Sequence, residues 1–351
     1  MRKHLNSLPG PLQSHDWPVV EPFSGYDPAF ETFLHAEQEE QKAALSGVVR
    51  RSWDKAGAFL SQALAGIYAY VYGYPDSPCY LSTDPELEIK LQRAKVQIEE
   101  VYLNLWLDAA AVPVFESPEA AFDYLRGYVE TNAGVGHELF DYLRDDASAQ
   151  ALKIFLRLEV CRNEVVDDEV ALLVCGLQGN LKRMAGANLW DEFGNGRLAN
   201  FHTYWLRRLL EHTDDWEGLR AFRKTQMPWC ASISSNAFNA LLTRPGHKYR
   251  AYGFFTTTEA WVRPHFQRLL IGLERVGLSH PDTDVYFAAH CSIDPLHAGE
   301  LLDGIQDQVP PLSLAHLVDI IRGAHLAVAA GENQYRLLLE HLKVIDAGGR
   351  P

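Results

Sequence analysis

Cysteine and methionine are scarce in this chain, with five and three copies among 351 residues. The cysteines, at positions 79, 161, 175, 230 and 291, are scattered, odd in number and contain no Cys-x-x-Cys pair. That argues against structural zinc and against a disulfide framework, and it fits a reducing cytoplasm, where the protein is expected to reside. Positive charge is also short: 32 Lys and Arg stand against 46 Asp and Glu, for a formal net charge of −14. A general binder of nucleic acid or of anionic membrane would present a basic face, so no nucleic acid and no membrane is expected as a partner. The longest apolar runs, 269–273 and 325–330, fall far short of the roughly 20 residues of a membrane span. The first eleven residues carry positive charge with no apolar stretch behind it, so a secretory signal is not expected. Strand-like patterning is nearly missing too; 248–255 is the one weak candidate.

What remains is helical. Hydrophobic residues make up 47% and charged residues 22%, an ordinary soluble balance. Residues 1–28 are rich in Pro and Gly and read as an irregular arm. Beyond them, apolar residues recur at three- and four-residue spacings and predict helices over 28–45, 48–72, 85–111, 138–143, 148–175, 180–193, 199–212, 213–225, 232–242, 256–277, 282–306, 313–331 and 332–344. Another helix is expected to start at Ser117, a suitable N-cap followed by Pro118. The expected architecture is all-α, an up-and-down bundle of long helices over 116–351 with an N-terminal arm and helical extension over 1–115.

Chemistry concentrates in histidine and carboxylate. His290, Asp294 and His297 share one helical face: at 100° per residue, Asp294 lies about +40° and His297 about −20° from His290. The rise between the two histidines, roughly 10 Å, is too long for one ion and suits two ions roughly 3.5–4 Å apart. The helix around them is apolar, so this face points inward, where unpaired polar groups are costly and metal coordination relieves the cost. A surface face or a satisfied polar network is the alternative reading.

Two further groups could complete such a site. Glu192 precedes Gly194-Asn195-Gly196, and His202 follows. In an unbroken helix Glu192 and His202 would stand ~15 Å apart and about 80° off one face. Residues able to take positive φ could break the helix and fold His202 back, or could simply make a turn. Glu259 follows Thr256 at the spacing of a capping box, so it is either a cap or a third carboxylate. Together Glu192, His202, Glu259, His290, Asp294 and His297 offer three carboxylates and three imidazoles, a donor mixture suited to paired iron, with manganese as the substitute.

These residues resemble the haem-oxygenase-like di-iron oxidases, the iron-containing redox enzymes. The resemblance covers about 116–345 and runs through His137, Phe155 with Glu159, Asn188 with Glu192 and its glycines, His202, Glu259 with Gly272 and Gly277, and Tyr286-Phe287 leading into His290, Asp294 and His297. It implies a haem-oxygenase-like bundle in which those six residues hold two Fe(II) ions that activate O₂ as co-substrate. It also implies a small amino-acid-, amine- or fatty-acid-like substrate, undergoing N-oxygenation, desaturation or oxidative C–C cleavage. Some members add one carboxylate upstream, for which Glu159, Glu164 and Asp168 are the candidates here. A carboxylate-bearing substrate would want a cation, and Arg197, Lys248, Arg250 and Arg263 lie near the motifs. An external electron donor is compatible with this chemistry, as is a monomer or homodimer. Two other readings stand beside it. One is a metal-free or hydrolytic thiaminase-like enzyme on the same bundle, for which Cys291 beside His290 is the suggestive nucleophile. The other is a non-catalytic iron-binding helical protein.

Overall fold

The computed structural model describes residues 28–51, 53–72, 85–108, 111–213, 219, 222–223 and 226–348. Within the helices, the side chains of some residues, 292–296 among them, lie outside that description. The expected arm before Pro28 and most of the helix expected over 213–225 also fall outside it.

Among the described residues the regular elements are helices. The extension comprises α1 (Pro28–His35), α2 (Gln38–Arg51), α3 (Trp53–Val71) and α4 (Pro85–Trp106). The bundle follows with α5 (Pro118–Thr131), α6 (Glu138–Asp145), α7 (Ala149–Asn163), α8 (Val166–Val174), α9 (Gly179–Glu192), α10 (His202–Thr213), α11 (Ile233–Leu242), α12 (Lys248–Arg275), α13 (Pro281–Gln306) and α14 (Leu314–Asp346). α5 starts as expected: Ser117 Oγ accepts from the Ala120 N–H at 3.2 Å, and Pro118 takes the first position, where its missing N–H costs nothing.

Several expectations change. The stretch 28–45 is not one helix: α1 ends at His35, and α2 runs from Gln38 to Arg51, past the start expected at 48. The stretch 148–175 is two helices, α7 and α8, parted at Glu164–Val165. The stretch 313–344 is one helix, α14, of 33 residues. By length and composition α14 could cross a membrane, but Leu317, Ile320, Ile321, Leu338 and Leu342 are buried in the protein core, which accounts for its apolarity. The weak strand candidate 248–255 forms the first two turns of α12. Its aromatic, β-prone composition is overridden by packing. Ala251, Tyr252, Gly253, Phe254 and Phe255 are all buried, and Tyr252 Oη donates to Leu301 O on α13 at 3.0 Å.

α12 and α14 touch backbone to backbone. A Cβ on Gly253 would run into the Ile320 carbonyl, and one on Gly323 would sit 2.7 Å from the Arg250 carbonyl carbon and 2.9 Å from the Phe254 nitrogen. Glycine at both positions permits the approach, and α13 packs on the other side of α12.

The extension is fastened to α11 by polar contacts as well as apolar ones. Tyr102 Oη reaches both Ser61 Oγ (3.0 Å) and Ile233 O (3.3 Å), and Asn236 Nδ2 donates to Ser61 O at 2.9 Å. Beneath them a buried Lys95–Glu99 ion pair at 2.8 Å receives a third group, the Tyr68 hydroxyl, which donates to Glu99 at 2.7 Å. Both meet Glu99 at Oε1; the buried Oε2 has no hydrogen-bond partner, with Arg244 Nε 4.0 Å away. α11 in turn forms one wall of the interior cavity described next.

Candidate metal centre

α9 stops at Glu192 because the next residues cannot continue it. Gly194 (φ +53°), Asn195 (φ 54°) and Gly196 (φ +78°) are all left-handed. Two short 3₁₀ turns, Gly194–Gly196 and Leu198–Asn200, reverse the chain before α10 begins at His202. The turn is tight enough that a Cβ on Gly194 would lie 2.5 Å from the Asn200 carbonyl oxygen. Its effect is to bring His202 Nδ1 to 2.7 Å from Glu192 Oε2. The helix break that the glycines allowed is therefore present, and the alternative of a turn that leaves His202 elsewhere is excluded.

His290 comes to the same point from α13. Its Nδ1–H donates to Tyr286 O at 2.5 Å, which leaves Nε2 as the nitrogen with a lone pair to offer. Burial first, and then the neighbouring His202, hold its pKa well below the ordinary histidine value, so the ring is neutral. The donor atoms of Glu192, His202 and His290 all lie within 4.8 Å of one another, and all three residues are buried. Despite their short separation, Glu192 Oε2 and His202 Nδ1 do not meet in hydrogen-bonding geometry, and both atoms are buried without a hydrogen-bond partner. Orphaned polar atoms of this kind are expensive. A cation among one carboxylate and two imidazoles would satisfy them, so the residues present fit a metal ion.

His297, on the same helix, belongs to a second cluster, as the long rise between the two histidines requires. Its Nδ1 is 3.6 Å from Glu259 Oε2, and its Nε2 is 3.0 Å from Asp191 Oδ2. Asp191 Oδ1 also accepts from Asn195 Nδ2 at 2.8 Å, which ties the second cluster to the same helix break. Glu259 is no cap. It lies in the middle of α12, and Thr256 Oγ1 donates back to Tyr252 O at 2.8 Å. The capping-box spacing was misleading because the helix begins two turns earlier. The backbone of Asp294 lies on α13 between the two histidines, but its side chain is outside the described residues.

A cavity opens beside these clusters, with about 90 Å³ of space that water could fill, room for several waters or a small ligand. Glu192, Glu259 and His290 line it, as do Phe238, Phe255 and Phe266. Of the upstream carboxylates, Glu159 faces this cavity, whereas Glu164 is engaged by Arg223 at 2.6 Å and Asp168 is exposed and away from the lining. Two charged lining residues are not among the candidates the sequence pointed to. Glu169 is buried, with Oε1 accepting from Asn239 Nδ2 at 2.7 Å, and burial lifts its pKa to about 8. Arg162, at the end of α7, is the second. Neither stood within a recognisable motif; only their helical phase beside Glu159 could have hinted at them. The four cations expected near the site do not line the cavity. Arg197 and Arg263 are exposed, Lys248 bonds Gly176 O, and Arg250 pairs with Asp319. Cys291 does not line it either. A shallower group, His212, His280 and Asp282, lies at the surface with Asp282 held by Arg208.

Fold and site together define a class: an all-α bundle whose interior carries histidine–carboxylate clusters beside a cavity. The pattern of the family described as iron-containing redox enzymes matches residues 153–332, just over half of the chain and the stretch that supplies every one of these ligand candidates. The chain belongs to that family and is an oxidoreductase of the haem-oxygenase-like fold. Among solved structures it is similar to a CADD-like protein of unknown function from Nostoc punctiforme, with a TM-score of 0.50 and 15% identity, covering 63% of this chain and 97% of that one. That likeness concerns the fold. No curated protein matches the chain.

Proposed function

We propose that this chain is a non-haem di-iron oxidase or oxygenase acting on a small amino-acid-, amine- or fatty-acid-like substrate. Glu192, His202 and His290 would hold one ion, and Glu259, His297 and Asp294 the other. The observation that carries this reading is the orphaned pair Glu192 Oε2 and His202 Nδ1, buried side by side by a left-handed helix break and pointed at His290.

Bound there, two iron(II) ions would supply the electrons that reduce O₂ and so oxidise the substrate. The protein's own part is positioning. The Tyr286 carbonyl fixes the tautomer and ring angle of His290. Asp191 orients His297 and favours its Nε2–H tautomer, leaving Nδ1 toward Glu259. Phe266 stands edge-on to His290 at 5.5 Å and, with Phe238 and Phe255, gives the cavity an aromatic wall beside that ligand. The metal-free reading loses support because Cys291 has no place in the cavity.

The test is an anaerobic Fe(II) titration followed by admission of O₂. Uptake near two irons per chain, with oxygen consumption that quickens in the presence of a small organic acid or amine, is expected. Uptake near zero would sink the proposal, and two irons without any oxygen consumption would leave an iron-binding protein.

A further inference from the structure

The interior cavity is lined by one cationic side chain that stands outside the candidate metal clusters. Arg162 ends in the cavity, and among its described lining residues it is the one lysine or arginine. Its ion-pair contact is a single Nη2–Glu159 Oε2 approach at 3.3 Å. That same oxygen is also approached by Asn163 Nδ2 at 3.4 Å, so Glu159 is shared between two weak donors. Structural arginines in protein interiors normally use their planar fork, with two parallel N–H bonds to one carboxylate. Other arginines in this molecule spend more of their donors: Arg250 directs both Nε (3.1 Å) and Nη2 (2.7 Å) to Asp319 Oδ1, and the exposed Arg275 binds three backbone carbonyls. Arg162 keeps most of its donor capacity unspent while lining the cavity, its side chain 32% exposed. Its charge is felt across that space, at His290, Glu169, His265 and Tyr335.

The remaining lining says what sort of molecule would complete the fork. Phe238, Phe254, Phe255, Phe266 and Val262 are apolar, and the neutral polar groups Ser234 and Gln334 stand on α11 and α14. Gln334 is already committed through Oε1 to the Ser234 N–H at 2.8 Å. The cavity thus offers one cationic fork beside aromatic walls in a small volume. A dianionic phosphate would be poorly served there, because the other charged lining groups, Glu159, Glu169, Glu192 and Glu259, are carboxyls.

We infer that Arg162 is a specificity-determining residue, a bidentate anchor for the carboxylate of a small substrate whose apolar body lies against the aromatic wall. This rests on the di-iron reading only for what happens after binding, and it narrows that reading: a plain amine is not a substrate, and an amino or alkyl acid is.

The experiment uses matched probes on one carbon skeleton, 4-methylpentanoate, L-leucine and isoamylamine, with straight-chain acids of four to twelve carbons as a length series. Binding is measured by calorimetry under argon, on the full chain with and without Fe(II). The acids, or the acid and the amino acid, bind the wild type, and the amine does not. Arg162→Met weakens carboxylate binding by at least tenfold, Arg162→Lys restores part of it, and both keep the wild-type circular dichroism and iron stoichiometry. Equal binding of acid and amine, unchanged acid binding in Arg162→Met, or no carboxylate bound across the series overturns the anchor. The two readings fail separately. Two irons with carboxylate binding indifferent to Arg162 removes the anchor alone. Arg162-dependent carboxylate binding in a protein that takes up no iron removes the di-iron reading alone.

Discussion

Replacing Gly194 with alanine attacks the candidate metal centre without altering any candidate ligand. Gly194 sits at φ +53°, where an L-residue pays roughly 1–2 kcal/mol. Its new methyl group would also overlap the Asn200 backbone, 2.5 Å from the carbonyl oxygen, with the Asn200 Cβ 2.6 Å away. Backbone cannot step aside as a side chain can, and overpacking of this kind costs about 1–3 kcal/mol. The total is about 2–5 kcal/mol, a large part of a typical domain's stability. The protein can relieve it only by opening the turn, and opening the turn withdraws His202 from Glu192. Gly194→Ala should therefore lower the urea midpoint, weaken Fe(II) uptake, or both. Gly186→Ala is the control: it lies in α9, where an added Cβ meets nothing within 4 Å, and it should leave iron uptake unchanged and stability equal or up to about 1 kcal/mol higher. Wild-type stability together with wild-type iron uptake in Gly194→Ala would refute the claim that this break builds the site.

Further outcomes follow from the same geometry. His290→Ala and His297→Ala should each reduce bound iron to about one per chain or below, since each histidine serves a different cluster; retention of two irons by either variant would break the ligand assignment. Glu169 should make the metal-free protein pH-sensitive. Burial raises its carboxyl from 4.5 to about 8, so the folded state holds the proton more tightly than the unfolded state does. The stabilisation is full below about pH 4.5 and lost as pH rises through about 8. Glu169→Gln should abolish that slope, and parallel urea-midpoint curves for variant and wild type between pH 5 and 8 would contradict it. Gly323→Ala should cost more than about 3 kcal/mol, because its methyl group meets the backbone of Arg250 and Phe254 rather than a movable side chain; a calorimetric melt within a degree of wild type would show the α12–α14 contact to be looser than described.

Much of this protein is legible in its sequence because the deciding interactions are local. Helical periodicity sets the all-α class, and Ser117-Pro118 sets a helix start. Heptad-length spacing puts His290 and His297 on one face yet in separate clusters, and Gly194-Asn195-Gly196 marks a place where the chain takes three left-handed residues in succession. Local rules also erred where packing outweighed them. Residues 248–255 look strand-like but lie in a helix, because Gly253 and Gly323 let two backbones meet. Thr256–Glu259 looks like a cap but stands mid-helix for the same reason. The tertiary structure alone decided what comes together from distant segments. Asp191 reaches His297, Glu169 is buried against Asn239, and the fork of Arg162 lines the same cavity as Glu159. No spacing within one helix encodes those meetings. They depend on which faces of α7, α8, α12 and α13 pack inward together, and that is a property of the whole core.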